Sequence, residues 1–99
     1  MEMTTFKPGY GTGSINAVTD SSGTAALTPN ARSVCLTNLG GQTVWVRCGD
    51  SSVTATTADY PLVSGSQVSI AKARDHSHIA FICASGESSS LHVMVGEGF

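Results

Sequence analysis

His76 and His78 are the residues whose spacing most invites chemistry. Two apart on a strand, they would share a face and reach for a metal together. No third ligand stands at a convincing interval, because Asp75 is adjacent and His92 lies far along the chain. The pair reads as part of a polar loop before a strand, and no metal is expected. Cys35, Cys48 and Cys83 are odd in number and form no Cys-x-x-Cys pair. Zinc, thioredoxin-like redox and a closed disulfide framework are therefore poor readings. All three lie in apolar or β-rich runs and read as buried small hydrophobes in a reducing cytosol. A Cys35–Cys48 bridge across adjacent strands and a reactive thiol are the alternatives. No Gly-x-Ser-x-Gly elbow occurs, and the acidic residues, scattered through turns, offer no acid–base pair. Gly9, Gly11 and Gly13 miss the dinucleotide-binding spacing. The chain is expected to be neither an enzyme nor a cofactor binder.

Large side chains suited to contact work are few. Trp45 alternates onto the face of its strand opposite Val44 and Val46, beside Arg47. It could anchor an interface, pack at an edge or stack on a sugar. With Phe6, Tyr10 and Tyr60, these two residues are the candidate contacts to a partner or a neighbouring subunit.

The elements that must position them are short. Residues 1–13 read as a flexible arm and 14–99 as the folded domain. From Ser14 onward, apolar runs recur about every ten residues. Ile15, Ala17 and Val18 mark one strand and Thr24 to Leu27 a second. Ser33–Asn38 is a third, and the turn Leu39-Gly40-Gly41-Gln42 after it carries a hairpin signal. Thr43–Cys48 follows, with Val44, Val46 and Cys48 inward. Residues 49–59 are the longest polar excursion. Tyr60–Val63 is an edge segment, because Pro61 cannot donate to a ladder. Gln67–Ala71 points Val68 and Ile70 inward, and Lys72 to Ser77 is a polar loop. His78–Ala84 is apolar on both faces, and Ser90–Val95 closes the series. Seven or eight short strands with no helical period predict an all-β, antiparallel β-sandwich, jelly-roll-like in strand number.

Composition narrows the class. Of 99 residues only 12% are charged, 40% are hydrophobic, and the formal net charge is −2. Serine and threonine supply about a quarter of the chain. Charge-driven disorder and helical bundles are excluded. Five Lys and Arg against seven Asp and Glu, without a basic cluster, argue against nucleic acid as a partner. No apolar run spans a membrane. Met1-Glu2-Met3-Thr4 has neither a basic nor an apolar leader region, so no signal peptide is expected. Small domains ordinarily carry about twice this charge. Flat, neutral Ser/Thr/Gly/Ala surfaces desolvate cheaply and suit subunit contacts, which predicts a subunit of an assembly.

Several segments carry a resemblance: Val34-Cys35-Leu36-Thr37-Asn38, Val44-Trp45-Val46-Arg47-Cys48-Gly49 and Ser51-Ser52-Val53-Thr54-Ala55-Thr56. Pro61-Leu62-Val63-Ser64-Gly65, the stretch from Ile79 to Gly86 and the ending Val93–Phe99 add to it. Over roughly residues 30–99 the chain resembles small structural proteins of tailed bacteriophages, and is similar to capsid cementing or decoration proteins. The resemblance implies a virion protein without catalysis, made in the bacterial host cytoplasm and placed on the capsid exterior. Its implied partners are the major capsid protein and further copies of itself, as a homotrimer or alternatively a dimer. The arm would order along a neighbour with Phe6 and Tyr10 as anchors. A tail- or fibre-associated module binding a host glycan or receptor through Trp45 and Tyr60 is the alternative.

Overall fold

A computed structural model of the chain describes residues 7–8, 13–27, 32–71, 73 and 75–97. Nine antiparallel strands lie among them: β1 (Lys7–Pro8), β2 (Ser14–Val18), β3 (Gly23–Ala26), β4 (Ser33–Asn38), β5 (Val44–Gly49), β6 (Tyr60–Leu62), β7 (Gln67–Ala71), β8 (His78–Ile82) and β9 (Ser89–Glu97). They form two sheets. One has the order β1-β9-β4-β7, with β2 also pairing β9, and the other has the order β3-β8-β5-β6. There is no helix among the described residues, and none long and apolar enough to cross a membrane.

Alternation along the strands builds the core. Val34 and Leu36 on β4, with Leu91, Val93 and Val95 on β9, face Val44 and Val46 on β5, Leu62 on β6, and Ile79 and Phe81 on β8. Val68 and Ile70 pack against this cluster as half-buried residues of β7. The two sheets pack face to face as an antiparallel β-sandwich, as the residue pattern predicts.

The expected hairpin at Leu39–Gln42 is not there. β4 pairs β7 and β9, whereas β5 pairs β6 and β8, so this turn carries the chain from one sheet to the other. A glycine pair permits either kind of turn, and distant strands decide which forms. Asn38 fixes the crossing. It is 1% exposed, and its Nδ2 donates to the carbonyls of Gln42 at 2.7 Å and Leu62 at 2.9 Å. Its Oδ1 accepts from the Gly40 amide at 3.1 Å and the Ser89 hydroxyl at 2.8 Å. One side chain thereby ties the turn to both sheets.

The same sheet assignment removes the adjacent-strand premise of a Cys35–Cys48 bridge. The two cysteines sit on strands of different sheets, and no disulfide joins any of Cys35, Cys48 and Cys83. Cys83 is buried as expected, but Cys35 and Cys48 are only half-buried.

Candidate functional site

The two outer faces of the sandwich differ. On the four-stranded sheet, residues 50–59 leave β5 and reach the start of β3, where the Ala55 amide donates to Ser22 Oγ at 2.9 Å. In the order β3-β8-β5-β6 that path crosses β8. The inner face is filled by the other sheet, so the loop runs over the outer one. This explains Ala80, which alternates outward between Ile79 and Phe81 yet is 0% exposed. The loop returns to β6 with Asp59 beside Arg47, at 3.9 Å. Val53 packs over Gly49, where a Cβ would come within 2.7 Å of Val53 Cγ2.

Where the loop leaves β5 it frames an open cleft of about 500 Å³, lined by Arg47, Cys48, Asp50, Thr54, Asp75 and His76 among others. Asp50 accepts hydrogen bonds from the hydroxyl and amide of Ser52, at 2.6 and 2.8 Å. The hydroxyl first, then the amide, hold its carboxyl below the ordinary carboxylate range, with His78 and His76 adding to the effect. His78 Nδ1 lies 2.8 Å from Ser77 Oγ. No group of three His, Cys, Asp or Glu side chains able to hold a metal occurs among the described residues. The cleft has the polarity to take hydroxyl-bearing or zwitterionic groups by hydrogen bonding.

The outer face of the five-stranded sheet is different in kind. Among the described residues its outward positions are Ile15 and Ala17 on β2, Ser33, Cys35 and Thr37 on β4, Gln67, Ser69 and Ala71 on β7, and Ser90, His92, Met94 and Gly96 on β9, of which Ser33 and its partner Gly96 are buried at one corner. None is Asp, Glu, Lys or Arg. Ile15, opposite His92, is 70% exposed.

The sequence-predicted contacts separate accordingly. Trp45 is half-buried on β5, Arg47 is 63% exposed on the same face, and Tyr60 is 50% exposed on β6. β5–β6 pairing brings all three to one edge, with Trp45 opposite Pro61 and Tyr60 opposite Val46. Trp45 therefore aligns with the outer face and Tyr60 with the inward-facing positions, so the two rings do not make one stacking platform. Phe6 and Tyr10 lie outside the described residues. Within the predicted arm, Lys7–Pro8 pair with Glu97 and Gly96 at the end of β9. The cleft residues Asp50 and Thr54 carried no sequence signal, because only the loop's path across the sheet brings them beside Asp75 and His76.

No protein family's sequence profile matches the chain, and no curated protein matches it.

Proposed function

We propose that the chain is a structural protein of a tailed-phage virion that decorates and cements the capsid, bridging neighbouring major capsid subunits without catalysis. The observation that carries this reading is the uncharged outer face of the five-stranded sheet. Interface centres are depleted of charged residues, because each buried charge must be desolvated and paired. A broad sheet face without one, bearing an exposed Ile15, suits burial against another protein. We read the sandwich as a jelly roll on the opposed orders β2-β9-β4-β7 and β3-β8-β5-β6, with β1 extending the first.

The mechanism is thermodynamic. Protein that binds only the assembled shell stabilises it by mass action, and many copies on one particle add their weak contacts. The test adds purified protein to heads that lack it. A rise in the temperature of head disruption, saturating with occupancy, is expected; no rise at saturating protein overturns the reading. The tail or fibre alternative draws on the polar cleft, and predicts saccharide affinity lost in Asp50→Ala. The opposed placement of Trp45 and Tyr60 counts against its aromatic contacts.

A further inference from the structure

A sheet edge invites pairing unless something blunts it. Three edges of this sandwich are blunted. β6 is three residues with Pro61 at its centre, β3 is four residues opening on Gly23, and the edge beside β9 is split between β2 and β1, which contains Pro8. The fourth edge, β7, is five residues, Gln67-Val68-Ser69-Ile70-Ala71, with no proline, glycine or charge. Gln67, Ser69 and Ala71 are exposed.

The direction of its backbone groups follows from the ladder. The Asn38 amide donates to the Ser66 carbonyl and the Leu39 amide to the Ser90 carbonyl. Even-numbered residues of β4 thus address β7, and odd-numbered ones address β9. Val68 and Ile70, opposite Leu36 and Val34, bond inward to β4. Gln67, Ser69 and Ala71 turn their amides and carbonyls to the free edge.

We propose that this edge pairs with the β7 edge of a second copy, antiparallel, about a two-fold axis between the two Ser69 residues. Gln67 then faces Ala71 and Ser69 faces Ser69, exchanging about six backbone hydrogen bonds. Val68 faces Ile70 in the closer, non-bonded positions, so the half-buried rim of each core covers the other. The match is self-complementary: the outward groups meet in register, apolar side chains meet apolar ones, and no like charges are opposed within the five residues. The inference is independent of the capsid reading. It gives a dimer, the alternative to the homotrimer among the assemblies the phage resemblance implies.

Sedimentation equilibrium of the full chain at tens of micromolar tests it. The expected mass is about twice the 10.1 kDa of one chain. Ser69→Pro removes an amide that points away from β4, so the folded monomer survives while dimerisation weakens at least about ten-fold. Ser69→Asp and Ser69→Lys each place like charges across the axis and weaken the dimer, and mixing the two restores it as a heterodimer. A monomeric or trimeric wild type overturns the proposal, as does a dimer unmoved by both Ser69→Pro and Ser69→Asp. If Ser69→Pro loses its β-sheet circular dichroism, the aspartate–lysine pair decides alone.

Discussion

Replacing Asn38 with alanine is expected to be among the most damaging polar-to-small changes in the domain. Four side-chain hydrogen bonds vanish, to Gln42, Leu62, Gly40 and Ser89. The Gln42 carbonyl and Gly40 amide belong to the surface turn, where water replaces the lost partner at small cost. The bond to the Leu62 carbonyl is buried, and the Ser89 hydroxyl is partly so. A net loss of about 1 kcal/mol per bond, plus about 1–3 kcal/mol for a stranded buried acceptor, gives a destabilisation of about 3–5 kcal/mol. Domains of this size have roughly 5–15 kcal/mol in total. At about 4–8 °C per kcal/mol, the melting temperature falls by roughly 12–40 °C.

Urea unfolding followed by Trp45 fluorescence and circular dichroism measures this, with an unchanged denaturant slope marking a shift in stability alone. Asn38→Asp discriminates further. The introduced carboxylate has no donors for the Gln42 and Leu62 carbonyls and is charged where it is buried, so it costs more than alanine at neutral pH. Burial raises its folded pKa, so the excess shrinks as the pH falls toward about 4. Asn16→Ala serves as the control, since Asn16 lies on β2 and bonds mostly to its near neighbour Ser14. A loss below about 1 kcal/mol for Asn38→Ala would refute the claim that this side chain couples the two sheets.

Gly40→Ala is expected to cost about 1–3 kcal/mol in urea unfolding, whereas Gly41→Ala stays within about 0.5 kcal/mol. A Cβ on Gly40 would come within 2.8 Å of the Ser89 and Ser90 backbone, while one on Gly41 meets nothing within 4 Å; equal costs would contradict this. Cys83 should alkylate more slowly than Cys35 and Cys48 in the native protein, because burial, then Glu87 and Asp20, push its thiol pKa up. Its contribution to stability is present below the ordinary thiol range and is lost as pH rises through the raised value; labelling as fast as the other two would overturn the assignment. Asp50 should titrate below the ordinary carboxylate range in NMR, moving upward in Ser52→Ala. Its contribution is present above that range and lost as pH falls through the lowered value; an unmoved midpoint in the variant would contradict the hydrogen-bond cause.

Where local pattern dictates structure, the residues were readable. Ser33–Asn38 is β4 to the residue, Pro61 marks an edge, and the unbroken apolar run after His78 is a strand buried on both faces. Gly65 and Gly86, in the turns after β6 and β8, have φ of 76° and 78°, the left-handed region that glycine enters without strain. What sequence left hidden is non-local. Leu39–Gln42 has the residues of a hairpin, yet β9 and β8, far along the chain, claim β4 and β5 for separate sheets. Ile15 reads as a strand hydrophobe but faces outward, because Val18 takes the inward position. Ala80 is covered by a polar loop whose path no local periodicity records. The contrast between a covered sheet face and an uncharged one, on which the functional reading rests, emerges only once register assigns each residue a side.

Counting copies of this protein on purified phage particles tests the central claim most directly. Quantitative mass spectrometry against the major capsid protein, with labelling to locate it on the head, supplies the number. Tens to hundreds of copies spread over the capsid are expected of a protein built to be covered by its neighbours. Absence from the particles, or a few copies confined to the tail, would contradict it.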